Sequence, residues 1–170
     1  MIDGMSARAA LPGTRPTGVE NEQVAAGQVR EMFGRIAPRY DRLNRILSLR
    51  MDVVWRRRMA RRFRALLRQR DARVLDLCCG TGDLALVLAG EAWAEGATVI
   101  GADFVHDMVV RAMAKTERMH QRRRPMFLEA DALRLPFGAG SFDLVTAAFG
   151  FRNLANYATG LAEMYRVVRP

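Results

Sequence analysis

Four short apolar runs mark the chain after residue 70, at residues 74–77, 97–103, 126–132 and 142–149. Near-continuous apolar runs of this length, bounded by turn residues, read as strands buried on both faces, the pattern of a parallel sheet. The first run crosses Gly80-Thr81-Gly82 and enters an apolar, helix-like stretch at Leu84-Ala85. The fourth is announced by the turn-rich stretch 136–141. Upstream, Trp55, Met59, Phe63, Leu66 and Leu67 recur at three- and four-residue steps and predict a helix with one apolar face. The pattern predicts an α/β fold: one parallel sheet with helices on both faces, preceded by a helical segment. The expected organisation is a disordered tail over 1–28, a helical cap over 29–70 and a nucleotide-binding domain over 71–170. The tail is read from its small and polar residues, among them Pro12, Pro16, Gly13 and Gly18.

Three of the runs carry an acid at or near their ends, and that spacing carries the chemistry. A Gly-x-Gly turn between strand and helix lets the backbone approach a ligand that a Cβ would block, and points to a nucleotide-like ligand. Residues 80–85 also fit the dinucleotide pattern G-x-G-x-x-G/A, with Asp103 about twenty residues on. Asp76 and Asp83 flank the loop, however, and two carboxylates beside a pyrophosphate would repel it. A ligand with an ammonium and a sulfonium would welcome them, so the loop favours S-adenosylmethionine over NAD. Asp103, at the end of the second strand, can accept from both ribose hydroxyls, and Asp131, in the third, from an adenine amine. Each acid alone has a plainer explanation, since Asp is common in turns after strands. Together with the glycine loop they form a set.

Charge and cysteine content narrow the classes further. The net charge is +9, with fourteen arginines against three acids over residues 30–70. This stretch fits a solvated arginine face on a packed helix, a surface meeting anionic lipid headgroups, or an RNA-phosphate footprint. All but one of the 27 basic residues are arginine, Lys115 being the exception, which weakens any specific reading of the patch. Adjacent Cys78 and Cys79 are too close for a relaxed disulfide, and with only His106 and His120 elsewhere no zinc-ligand spacing exists. Free thiols fit a reducing compartment, no apolar run has the length of a membrane span, and none near the start resembles a secretory signal. The expected place is cytoplasmic, peripheral to the inner face of the membrane if the lipid reading of the patch holds.

Several motifs together resemble one family. Residues 34–44, Gly-Arg-Ile-Ala-Pro-Arg-Tyr-Asp-Arg-Leu-Asn, are similar to the opening motif of the ubiquinone/menaquinone-biosynthesis C-methyltransferases. Residues 75–83, the Ala102-Asp103 pair with Met108, residues 131–137 and Ala148-Phe149-Gly150-x-Arg152-Asn153 match the same family. The resemblance implies a Rossmann-like class I methyltransferase fold and methyl transfer from S-adenosylmethionine to a ring carbon of a demethylated prenyl quinol. It implies that Thr81, Asp103, Asp131, Ala132 and Ala148 line the donor site, to which the reading of the loop adds Asp76, Gly80 and Gly82. Arg152 is the candidate to stabilise the developing phenolate, Asn153 to orient the ring hydroxyl, and Tyr40 to close over the site. No metal is expected. Nucleic acid is disfavoured as substrate, because the Pro-Pro-aromatic motif of base-amino methyltransferases is missing after the fourth strand. Two alternatives stay open: a methyltransferase of this fold acting on another small molecule or RNA, and an inactive, shortened binding module. Relatives continue with Gly-Gly and further strands, so a chain ending at Pro170 is expected to leave its fourth strand as an edge. Such an edge invites pairing with a second copy, as a homo-oligomer, or aggregation.

Overall fold

The computed structural model describes residues 13–14, 21–49, 51–92, 96–117, 119 and 124–170. Four strands, β1 (Arg73–Leu77), β2 (Thr98–Asp103), β3 (Met126–Glu129) and β4 (Leu144–Thr146), form one sheet in the order β3-β2-β1-β4. Every pairing is parallel: Leu75 sits opposite Ile100 on one side and Val145 on the other, and Ala102 opposite Leu128. The apolar runs thus form the parallel sheet their pattern predicts.

β1 shows why both faces are covered. Its side chains alternate, so Val74 enters one apolar cluster with Leu67, Leu84, Leu88 and Val99. Leu75 and Leu77 enter the opposite cluster with Phe142, Leu154 and Val167. The first cluster is roofed by α5 (Asp83–Glu91), on which α3 (Met51–Arg62) and α4 (Arg64–Leu67) pack. α7 (Tyr157–Val167) contributes to the second. α6 (His106–Thr116) packs on β2 and β3.

Three expectations are corrected here. The helical cap starts earlier than residue 29: α1 runs Glu22–Ile36, begun by Asn21, whose side chain accepts from the N–H of Gln23 at 2.8 Å and Val24 at 3.3 Å. The rest of the expected tail, apart from Gly13 and Thr14, lies outside the described residues. A 3₁₀ turn at Ala37–Arg39 then leads into α2 (Tyr40–Leu47). Secondly, the apolar face read between Trp55 and Leu67 is not continuous, since the helix breaks at Phe63. Leu67 is fully buried while Trp55 is 64% exposed.

Thirdly, the fourth strand is three residues long instead of eight, because the chain after Thr146 bends over the glycine loop. A Cβ at Gly150 would lie 2.3 Å from the Cys78 Cβ, so only glycine permits that approach. β4 is an edge of the sheet, as expected, and a single bridge lies just ahead of it. Phe142 bridges Val168 in parallel, donating to the Val167 carbonyl at 2.9 Å and accepting from the Arg169 N–H at 2.8 Å.

Candidate functional site

The loop after β1 is shaped by three left-handed residues in five positions: Cys78 (φ 53°), Gly80 (φ 55°) and Gly82 (φ 79°). It is pinned by the Cys79 N–H, which donates to Ala102 at 3.0 Å, and by the Gly80 N–H, which donates to Asp103 Oδ2 at 2.8 Å. The two glycines divide the work. Gly80 lines the cleft beneath Tyr40. Gly82 does not line it; a Cβ there would fall 2.6 Å from Phe127 Cζ and 2.8 Å from Ala112 Cβ. Gly82 therefore seats α5 against β3 and α6.

An open cleft lies over the carboxyl ends of β1, β2 and β4. Its floor holds two buried carboxylates. Asp76 Oδ1 accepts from the Thr146 hydroxyl at 2.9 Å, while Oδ2 is buried with no partner. Burial raises the Asp76 carboxyl to about 7; the Thr146 hydroxyl opposes that rise and the neighbouring Asp103 adds to it. Asp103 accepts from the Gly80 and Val105 N–H groups, the latter at 3.0 Å, and burial raises its carboxyl against those bonds. A buried carboxylate with an oxygen left over calls for a cationic or hydroxyl partner. The floor therefore suits a ligand carrying a cation and a diol, and disfavours a pyrophosphate.

Asp83 is not part of that argument, contrary to expectation. Its carboxylate is met by Lys115 at 2.6 Å and Arg56 at 3.2 Å. The single lysine is the hub of a network that sequence reasoning missed: Lys115 Nζ also pairs with Asp41 at 2.6 Å and donates to Thr81 Oγ1 at 2.8 Å. Thr81 in turn donates to Asp41. Burial works to raise the Asp41 carboxyl, but the bonds from Lys115 and Thr81 outweigh it and hold the group below the usual range. Arg56 reaches back to Asp52, which also accepts from the Ser48 hydroxyl at 2.7 Å. The cap helices α2 and α3 are thus tied to the loop and to α6 by charge. Thr81 is buried within this network as well as lining the cleft.

The cap supplies one wall of the cleft. Phe33 and Tyr40 meet edge to face at 6.0 Å and line it with Asn44 and Arg56. Ala148, Phe149, Gly150 and Asn153 form the opposite side. Asp131 and Ala132 line a smaller adjoining hollow together with Leu133, Leu154 and Ala155, and Asn153 borders both. Asp131 is exposed and accepts from the Leu133 N–H at 2.9 Å, an Asx turn that fixes the hollow's rim.

Arg152 does not join the cleft. It is exposed on a 3₁₀ turn, Phe151–Asn153, where its carbonyl accepts from Thr14 and from Tyr157 Oη. The turn directs Asn153 inward and leaves Arg152 outside, which corrects its expected place beside the reacting atoms. His106 is also outside, exposed and 3.2 Å from Glu129. Both cysteines are free, and burial pushes the Cys78 thiol up to about 12, so it stays protonated and a poor nucleophile. Among the described residues no cluster of three His, Cys, Asp or Glu could hold a metal ion, and no helix is long and apolar enough to cross a membrane.

A parallel sheet with a glycine loop after its first strand and a carboxylate ending its second defines a Rossmann-like α/β nucleotide-binding fold. Solved structures share it. A putative S-adenosyl-L-methionine-dependent methyltransferase from Methanococcus maripaludis matches with a TM-score of 0.62 at 15% identity, over 92% of this chain and 63% of that one. A SAM dependent methyltransferase from Aquifex aeolicus matches with a TM-score of 0.56 at 23% identity, over 65% and 57%. The sequence narrows this class. The model of the ubiE/COQ5 methyltransferase family matches residues 19–170, and the chain belongs to that family. A demethylmenaquinone methyltransferase of Thermus thermophilus is 52% identical over 139 residues, 82% of this chain and 60% of the relative. One of Deinococcus radiodurans is 47% identical over 152 residues, 89% of this chain and 60% of the relative. The chain thus spans about three fifths of the length of these curated relatives.

Proposed function

We propose that this chain binds S-adenosylmethionine and belongs to a methyltransferase acting on a ring carbon of a demethylated prenyl quinol, with demethylmenaquinol as the substrate. The observation that carries the donor reading is the unpartnered Asp76 Oδ2 beside Asp103 on the cleft floor. A ligand with an ammonium and a ribose diol satisfies both groups, and the sulfonium adds a further favourable charge. The quinol reading rests on the family and on the demethylmenaquinone methyltransferases to which the chain is similar.

When bound, S-adenosylmethionine supplies an electrophilic methyl group. The chain's own residues bind and orient. Asp76 would hold the ammonium, Asp103 would accept from the ribose hydroxyls, and Asp131 and Ala132, on the rim of the adjoining hollow, would border the adenine. Phe33 and Tyr40 cover the cleft and exclude water, which strengthens each charge contact beneath them. Asn153 and Tyr40 are the lining groups able to meet a ring hydroxyl. Alignment and charge complementarity then do the catalytic work. This reading puts the protein at the inner face of the membrane, where a prenyl tail is dissolved.

The test is incubation with S-adenosylmethionine and demethylmenaquinol, followed by mass spectrometry of the quinone. Gain of one methyl on the ring supports the reading. Donor binding with no transfer to the quinol would reduce the chain to a binding module, and transfer to RNA instead would move it to another substrate class.

A further inference from the structure

The corner joining α2 to α3 carries an apolar cluster that is exposed among the described residues. Ile46, Leu47, Leu49, Met51, Val54 and Trp55 are each between 56% and 85% exposed. Single exposed apolar residues need no explanation, but six large ones within ten positions form a patch of the kind that marks an interaction surface. Arginines adjoin it directly. Arg58, Arg61 and Arg62 share a surface groove with Trp55 and Met59, and none of the three is paired with an acid among the described residues. The same two helices supply Tyr40, Asn44 and Arg56 to the wall of the cleft, so the patch lies on the segment that covers the site.

The chemistry selects one occupant. A second copy meeting this patch face to face would bring two strongly basic surfaces together, since residues 30–70 hold fourteen arginines against three acids. Nucleic acid would use the arginines but would leave the aliphatic cluster in water. A tryptophan and several aliphatic residues flanked by arginines match the boundary between acyl chains and anionic headgroups.

We propose that the α2–α3 corner is a docking surface for an anionic lipid bilayer, with Leu47, Leu49 and Trp55 entering the headgroup boundary and Arg58 and Arg62 meeting lipid phosphates. Docking by this corner sets the cap, and the cleft it covers, against the membrane. The inference deepens the proposed function by giving a prenylated substrate its route, while the docking itself does not depend on the reaction.

The test is flotation of the whole chain with vesicles of phosphatidylcholine alone and with about 30 mol% phosphatidylglycerol, the anionic lipid supplying the surface potential. Two paired variants are run beside it, Leu47→Ser with Leu49→Ser and Arg58→Gln with Arg62→Gln, and S-adenosylmethionine binding is measured on each. The chain should float with the anionic vesicles and not with phosphatidylcholine alone. Removing two arginines should weaken partition roughly 25-fold, at about fivefold per arginine near the surface. Removing the two leucines should weaken it roughly tenfold or more through lost apolar insertion. Donor binding should be unchanged in both, which excludes misfolding. Absence of flotation, or flotation unaffected by the leucine pair, overturns the proposal. So does a dimer in sedimentation that the leucine pair abolishes, or oligouridylate binding that displaces the vesicles and depends on the arginines alone. Docking without methylation of the quinol would overturn the proposed function and leave this surface standing; methylation without docking would do the reverse.

Discussion

Asp76→Asn separates binding from stability with opposite signs. Burial pushes the Asp76 carboxyl up to about 7, against the Thr146 hydroxyl and the Ala85 N–H, and its Oδ2 has no well-formed hydrogen bond. A cationic ligand at that oxygen favours the ionised form, so binding below neutrality must expel a proton. With a free value of about 7 and a carboxylate that the bound cation keeps ionised throughout this range, affinity should fall about 50-fold between pH 7 and pH 5, which is about 2.3 kcal/mol of linkage. The ligand's own α-ammonium titrates near pH 8, above this window. The substituted amide carries no charge at any pH, so the variant should bind more weakly at pH 7 and show no slope between pH 5 and pH 7.

Stability should move the other way. An acid whose folded value is raised from 3.8 to about 7 keeps its proton in the folded state while the unfolded chain loses it. Wild-type stability therefore falls as pH rises from about 4 to about 7 and is level above that, by a few kcal/mol in total. The variant lacks this fall and should be more stable than wild type at pH 8. Calorimetric titration in buffers of differing ionisation enthalpy counts the protons, and urea denaturation at pH 5 and pH 8 gives the stabilities. A wild-type affinity that is flat between pH 5 and pH 7, or a variant less stable at pH 8, would refute the reasoning.

Three further changes probe the surrounding structure. Lys115→Met leaves Asp41, Asp83 and Thr81 without their shared cation, with about three quarters of each charged side chain buried. It should cost about 2 kcal/mol in urea denaturation and weaken donor affinity as well; a change below about 0.5 kcal/mol would remove the network from the account. Gly82→Ala forces a Cβ onto a residue at φ 79° and into the Phe127 ring, and should cost about 3 kcal/mol by the same measurement. Asp103→Ala removes the acceptor of the Gly80 and Val105 N–H groups along with the diol partner. Donor affinity should drop roughly 100-fold or more while circular dichroism keeps the folded spectrum, and unchanged affinity would reject the ribose role.

Features local in the chain were legible before the fold was known. Val74 to Leu77 and Thr98 to Asp103 announce themselves as strands because burial on both faces demands unbroken apolar runs, and Met126 to Glu129 does so by its apolar residues although, at the sheet's edge, it is only half-buried. Asp76 and Asp103 follow from where those runs end. Features set by distant contacts were not legible. β4 stops at Thr146 because Gly150 must pass over Cys78, a contact between positions 72 residues apart. The Lys115 network joins residues 41, 81, 83 and 115, whose spacing follows no period, and the composition had only marked that lysine as an exception. The same network explains why Asp83 misled the charge argument: its carboxylate is already neutralised by Lys115 and Arg56. Arg152 was placed near the reacting atoms by its distance from the fourth strand. A 3₁₀ turn reverses which of two adjacent side chains points inward, and sequence spacing does not reveal that turn.

The central claim is that the cleft floor reads a cation and a diol. Isothermal titration of the chain with S-adenosylmethionine, with S-adenosylhomocysteine and NAD alongside, tests it most directly. The account predicts one saturable site for both adenosyl ligands and none for NAD. NAD binding as tight as that of S-adenosylmethionine, or no adenosyl binding by a chain shown to be folded, would contradict it.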